Sequence, residues 1–160
     1  MSQNQSSRST LVIGIGNEYR RDDGVGIVIA RRFEERDIPR VKVVKSCGEG
    51  AFLLESWVDA EQVIVIDAVQ QMGQVGTVHR IDAHEEEVPT GFFNYSSHAF
   101  SLAESIELAR TLARLPPALV IYGVEGQNFT MGLGLSPEVE DNIEALEALI
   151  LAEINGVPDA

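Results

Sequence analysis

An unbroken β-branched run, Val-Ile-Val-Ile at residues 63–66, is the feature that most restricts how this chain folds. Such a run, with no polar residues alternating through it, predicts a strand that is buried on both faces, as in a parallel sheet covered by helices on each side. Asp67 follows the run directly. We therefore expect a central strand over residues 63–68, with the Asp67 carboxylate at its end.

Four further segments predict strands, at residues 11–15, 41–44, 77–81 and 118–124. Helical spacings separate most of them. Residues 70–76 are too few for a crossover helix, so the strand that follows them is expected to be antiparallel or at an edge. The alternation of strands and helices predicts a three-layer α/β/α sandwich around a five-stranded, mostly parallel sheet.

Two of the predicted helices have recognisable ends in the sequence. One is expected to begin at Ser96 or Ser97 and to end before Pro116. The other is expected to begin after Ser136 as its N-cap and to stop at Gly156.

The chain is expected to form a single domain over residues 1–160. Its apolar content of 44% against 23% charged residues predicts a folded protein rather than a disordered one. Within it, the polar residues 1–9 are expected to be a disordered tail, and residues 10–154 to be the folded unit.

The charge of the chain restricts its partners. Asp and Glu total 25 against 12 Lys and Arg, a net charge of −13, which argues against nucleic acid and anionic membrane surfaces. No apolar run approaches the roughly 18 residues of a membrane span, and the polar start of the chain does not resemble a signal peptide. The one cysteine, Cys47, predicted to be a small buried apolar residue, fits the reducing cytoplasm, where we expect the protein to act.

The loop after the first strand carries acids where a nucleotide-binding loop carries free amides. Gly14 and Gly16 begin a G-x-G-x-x-G pattern, but Tyr19 stands at the third glycine position. Asp22 and Asp23 would oppose a phosphate at the start of the next helix. These residues therefore argue against dinucleotide binding and favour a cation.

Asp23, Asp67 and His98 form a candidate metal site. The first two follow strands that should be neighbours in the sheet, about 4.8 Å apart, and His98 lies in the first turn of a predicted helix. Two carboxylates and an imidazole suit a divalent transition metal with open coordination positions.

Each candidate also has a structural interpretation. Asp22 and Asp23 could cap a helix, Asp67 could hydrogen-bond the backbone in a turn, and His98 could pack at a helix start. His79 and His84 are expected to face solvent and are given no role.

A receiver-like or other divalent-metal-binding α/β module without peptidase activity is the alternative. A receiver would place acids after the first strand and at the end of the central strand. It also needs a lysine after its last strand to pair with the phosphoryl group. This chain has Glu125 there instead.

The sequence resembles the [NiFe]-hydrogenase maturation proteases from about residue 10 to residue 153. The resemblance is carried by motifs in a fixed order, namely Gly14-Ile15-Gly16-Asn17, Asp22-Asp23-Gly24-Val25-Gly26, Val65-Ile66-Asp67-Ala68, Ser97-His98 and Gly132-Leu133-Gly134-Leu135-Ser136. It implies a twisted five-stranded sheet with one antiparallel strand. It also implies an endopeptidase that removes the C-terminal extension of a nickel-loaded hydrogenase large-subunit precursor.

The resemblance implies roles for the candidate residues. Asp23, Asp67 and His98 match the family's nickel-interacting trio and are expected to be both metal ligands and catalytic residues. The nickel is carried by the precursor, binds the protease only weakly or transiently, and the protease is expected to be a monomer. Asp22 is then left as the helix cap.

One loop departs from the family pattern. After the second strand, residues 46–50 read Ser-Cys-Gly-Glu-Gly, where many members have Asp-Gly-Gly-Thr. The resemblance implies that this loop helps to choose the precursor. The glycines of the loop indicate a backbone turn that stays open, and the alternative is that Glu49 offers a charge to the precursor.

Overall fold

The computed structural model describes residues 8–47, 50–88 and 102–156. Its strands are β1 (Thr10–Ile15), β2 (Val41–Ser46), β3 (Gln62–Val69), β4 (Val78–Asp82) and β5 (Ala118–Glu125). Its α-helices are α1 (Val25–Arg36), α2 (Gly50–Ser56), α3 (Leu102–Thr111), α4 (Pro137–Asp141) and α5 (Ile143–Ile154). A 3-10 helix, Arg21–Gly24, precedes α1 and was not expected from the sequence.

The five strands form one sheet in the order β2-β1-β3-β5-β4. All neighbours are parallel except β4, which pairs antiparallel with β5 at the edge. Strand β3 lies at the centre and all of its residues are buried. The sequence prediction of a mostly parallel sheet around residues 63–68, with an antiparallel edge strand, is confirmed.

Successive strand residues point into two separate cores, as the period of two in a strand requires. One core lies between the sheet and helices α2 and α3, and it takes Val63, Val65 and Val69 from β3. The other lies between the sheet and helices α1, α4 and α5, and it takes Ile64 and Ile66. The predicted three-layer arrangement is therefore present.

Two glycines allow α1 to approach the sheet closely. A Cβ on Gly14 would lie 2.1 Å from the carbonyl oxygen of Gly26. A Cβ on Gly26 would lie 2.4 Å from Ile66 O and 2.5 Å from Ile15 O. Since real Cβ atoms do not come this near to backbone atoms, only glycine permits the contact, and the start of α1 rests on the ends of β1 and β3.

The structure corrects two of the sequence predictions, and a third set of predictions falls on residues that it does not describe. The last helix is not continuous, because it breaks at Asn142, whose side-chain amide donates to Gly76 O at 2.6 Å. Cys47 is exposed rather than buried. Residues 96–98 and 48–49, which include His98, lie outside the described residues.

No α-helix of the described part of the chain is both long enough and apolar enough to cross a membrane.

Replacing Gly26 with Ala is expected to destabilise the fold by about 2–3 kcal/mol, because the added methyl group overpacks the contact of α1 with two strands. Urea unfolding of purified protein measures the change. Gly73→Ala is the matched control, since a Cβ there meets nothing within 4 Å. Equal unfolding midpoints for the two variants would contradict the close contact.

Candidate functional site

Asp67 occupies the position that the sequence predicts, near the carboxyl end of the central strand. It is buried, and its Oδ1 accepts a hydrogen bond from Ala68 N at 2.8 Å. Its alternation with Val65 and Val69 directs it to the sheet face covered by α2 and α3. Its partner on β5 is Gly123, so the directly paired position of that strand places no side chain beside Asp67.

Asp23 lies in the 3-10 helix that follows β1 and is half-buried. Its Oδ2 accepts a hydrogen bond from Asn17 N at 2.9 Å. The turn is tight, since a Cβ on Gly16 would lie 1.9 Å from the Asp23 carbonyl oxygen, and Gly16 has a φ of 151°. The 3-10 helix contacts β3, so Asp23 and Asp67 belong to elements that meet near the carboxyl end of the central strand.

The third predicted ligand, His98, lies outside the described residues. Helix α3 begins four positions later in the chain, at Leu102, and packs on the same sheet face as Asp67. Among residues 8–47, 50–88 and 102–156, no group of three or more His, Cys, Asp or Glu side chains could hold a metal ion. The Asp23, Asp67 and His98 site stays a prediction.

Asp22 has a different role from the one expected. Helix α1 has no side-chain cap. The Asp22 carboxylate instead accepts four hydrogen bonds from the segment after β5, from Gln127 N, Asn128 N, Ser136 N and Ser136 Oγ, at 2.6–3.1 Å. The expectation that Asp22 caps the helix is wrong, because its side chain turns away from α1.

Ser136 stands at the N-cap position of α4, as predicted, but its hydroxyl does not cap the helix. The hydroxyl donates to Asp22 Oδ2 at 2.6 Å. Burial alone would raise the pKa of Asp22, but the hydrogen bonds from Ser136, Gln127 and Asn128 outweigh it and hold this pKa below its ordinary value. Asp22 is therefore a buried, ionised carboxylate.

Backbone hydrogen bonds join the two segments that Asp22 bridges. Gly132 N donates to Tyr19 O at 2.8 Å, Arg21 N donates to Gly132 O at 3.0 Å, and Asp22 N donates to Asn128 O at 3.0 Å. Arg21 and Gly132 both adopt positive φ, 51° and 145°. Residues 17–22 and 126–136 therefore form one connected unit beside Asp23.

Glu125 is a second buried carboxylate at this edge, and the sequence did not indicate its role. Its Oε1 accepts hydrogen bonds from Met72 N and Gly73 N at 2.9 and 2.8 Å. Its Oε2 accepts one from His79 Nε2 at 2.6 Å. Burial opposes its ionisation, but the bonds from His79, Met72 and Gly73 place the pKa of Glu125 below its ordinary value.

The Glu125 contacts change two earlier interpretations. His79 is half-buried and bonded rather than simply facing solvent, whereas His84 is exposed as expected and donates to Pro116 O at 2.7 Å. A receiver would require a cation after β5. An anionic carboxylate that organises the loop after β3 occupies that place, which argues against the receiver alternative.

The chain resembles known proteins over most of its length. A family model described as hydrogenase maturation protease matches residues 26–153. The hydrogenase 2 maturation protease of Escherichia coli is 32% identical over 147 residues, which cover 89% of this chain and 88% of that protein. A putative hydrogenase maturation protease of Methanocaldococcus jannaschii is 31% identical, over 92% of this chain and 97% of that protein.

Solved structures agree with the fold. The hydrogenase maturating endopeptidase HybD from Escherichia coli superposes with a TM-score of 0.78 and 27% identity, over 92% of each chain. A [NiFe] hydrogenase maturation protease, HycI, from Thermococcus kodakarensis has the same fold, with a TM-score of 0.68 at 22% identity over 97% of each chain.

Replacing Asp22 with Asn is expected to destabilise the protein by about 2–3 kcal/mol at neutral pH. All four partners of the carboxylate are donors, so the amide NH2 would face N–H and O–H groups without an acceptor. Urea unfolding measures the loss, and Asp59→Asn, at an exposed acid, is the matched control.

A comparison of wild type with Asp22→Asn across the acid pH range tests whether Asp22 is ionised. A carboxyl group whose folded pKa is depressed stabilises the protein above its unfolded pKa of about 3.9, and this contribution is lost as the pH falls through the folded pKa. The stability difference between wild type and Asp22→Asn should therefore shrink below about pH 4. A difference that is constant across the acid range would contradict an ionised Asp22.

Proposed function

Since the chain belongs to the hydrogenase maturation protease family and is thereby a peptidase of the hydrolase class, we propose that it removes the C-terminal extension of a nickel-loaded [NiFe]-hydrogenase large-subunit precursor. The observation that carries the proposal is the contact between the two elements that hold Asp23 and Asp67. Asp67 lies near the carboxyl end of the central strand, and the 3-10 helix with Asp23 contacts that strand.

Nickel enters this reaction as part of the substrate. In the proposal, Asp23, Asp67 and His98 complete the coordination of the nickel that the precursor carries, and the protease holds the metal only while the precursor is docked. Two carboxylates and an imidazole are suitable ligands for such a transition metal. A precursor without nickel lacks this anchor, so its cleavage site is not held in place.

The site residues contribute mainly by positioning. A scissile peptide held beside the carboxylates reacts as part of one complex, which removes much of the entropic barrier to hydrolysis. Water adds to the peptide carbonyl carbon, the C–N bond breaks and the departing amine takes a proton. Two routes suit this donor set, namely polarisation of the carbonyl or water by the metal and proton removal from water by a carboxylate.

The reaction takes place in the cytoplasm. The single cysteine agrees with action in the reducing cytoplasm. The protease acts as a monomer on a protein substrate. The net charge of −13 disfavours nucleic acid as a competing partner.

Cleavage is expected to require nickel in the precursor. Nickel-loaded and nickel-free precursors are incubated with the protease, and the C-terminal mass of the large subunit is followed by mass spectrometry. Only the loaded form should lose its extension. Asp23→Asn, Asp67→Asn and His98→Ala should each reduce the rate on the loaded precursor by at least about a hundredfold, because loss of a group that only supports a metal ligand already costs up to about a hundredfold.

Two control variants separate the site from general effects of substitution. Asp59→Asn and His84→Ala remove the same kinds of group near the opposite edge of the sheet, close to the start of β3 and beyond the end of β4. Both should cleave at the wild-type rate. Equal cleavage of the two precursors, or wild-type rates in Asp67→Asn and His98→Ala, would overturn nickel-dependent docking.

A further inference from the structure

Three large apolar side chains stand in solvent on the two segments that Asp22 joins. Tyr19 is 59% exposed, Met131 67% and Leu133 66%. Arg20 and Gly132 form a parallel β-bridge, which places the residue pairs on either side of it next to each other, so Tyr19 lies beside Met131. We refer to Tyr19, Met131 and Leu133 as the apolar loop face.

The backbone beneath this face is fixed by buried polar contacts. Asp22 accepts hydrogen bonds at both ends of the second segment, from Gln127 and Ser136, and Gly126 packs so closely that a Cβ there would lie 2.7 Å from Asp22 Cβ. The guanidinium of Arg21 covers Gly132, where a Cβ would lie 2.5 Å from Nη2. The exposed side chains are therefore carried on a preformed surface rather than on a loosely held loop.

Charge at the face differs from that of the chain as a whole. Residues 126–136 contain no charged side chain, although the chain has a net charge of −13. The charged groups that reach this segment, apart from the buried Asp22, include Arg20 and Arg21, which donate to Phe129 O and Leu133 O. A protein surface that is apolar and neutral or weakly acidic could approach here without charge repulsion.

The face is continuous with the proposed site. Tyr19 precedes Asp23 by four residues in one turn, and the 3-10 helix that carries Asp23 begins at Arg21, which is bonded to Gly132. A contiguous exposed apolar patch is typical of a surface that contacts a macromolecular partner. A partner whose metal reaches Asp23 and Asp67 would also cover these side chains.

We propose that the apolar loop face is the docking surface for an apolar, uncharged patch on the folded large-subunit precursor, and that it binds the precursor independently of nickel. This inference rests on the proposed function for the identity of the partner. The apolar loop face supplies affinity for the precursor polypeptide, whereas Asp23, Asp67 and His98 bind the nickel that the precursor carries.

Two double variants are compared, each of which replaces two exposed apolar side chains with serine. Met131→Ser/Leu133→Ser removes two side chains of the face, and Val58→Ser/Leu112→Ser removes two others, 61% and 51% exposed, near the ends of α2 and α3. Binding of immobilised nickel-free precursor is measured by interferometry. Cleavage of loaded precursor is measured as kcat and KM, and urea unfolding checks that each protein is folded.

Wild type should bind the nickel-free precursor, and the face variant should bind it at least about tenfold more weakly, as expected for loss of two central apolar contacts. Its KM should rise by a similar factor with kcat unchanged, and the control variant should match wild type. Wild-type binding by the face variant, or no binding of nickel-free precursor by wild type, would overturn the docking surface.

The two proposals fail in different ways. If wild type binds precursor through the face but never cleaves it, the proposed function is wrong and the docking surface stands. If wild type cleaves loaded precursor and the face variant has the same KM, the docking surface is wrong and the proposed function stands.

Discussion

The hydrogen bonds of the buried Asp22 carboxylate hold together the end of the sheet where the proposed site lies. This carboxylate satisfies three backbone N–H groups and one hydroxyl of a segment that lies more than a hundred residues further along the chain. Removing one member of such a network leaves several buried donors without acceptors, which costs more than the loss of a single hydrogen bond. The network joins the turn that carries Asp23 to the loop after β5.

Four acids near the carboxyl ends of the strands divide into two kinds. Asp22 and Glu125 are occupied by backbone amides and organise the loops after β5 and β3. Asp23 accepts a hydrogen bond from Asn17 N and Asp67 accepts one from Ala68 N, and the 3-10 helix that carries Asp23 contacts the strand that carries Asp67. The first pair holds the loops at this end of the sheet in place, the second pair belongs to the proposed site, and Gly14 and Gly26 let α1 approach β1 and β3 closely.

The sequence predicted what depends on local pattern. The β-branched run before Asp67 identified the central strand, and the short link before residue 77 identified the antiparallel edge strand, because burial and connection length leave few alternatives. The resemblance identified the family. What the sequence missed depends on distant partners. Asp22 and Ser136 are 114 residues apart, and His79 and Glu125 are 46 apart. The exposure of Cys47 and the break at Asn142 likewise follow from tertiary contacts that periodicity does not contain.

The most direct test of the central claim is the coordination of nickel itself. X-ray absorption at the nickel edge is recorded for the loaded precursor alone and in complex with the protease. If Asp23, Asp67 and His98 bind the nickel, additional oxygen and nitrogen ligands should appear at nickel in the complex and be lost when the protease carries Asp67→Asn. A nickel spectrum that docking of the wild-type protease leaves unchanged would contradict metal recognition by Asp23, Asp67 and His98.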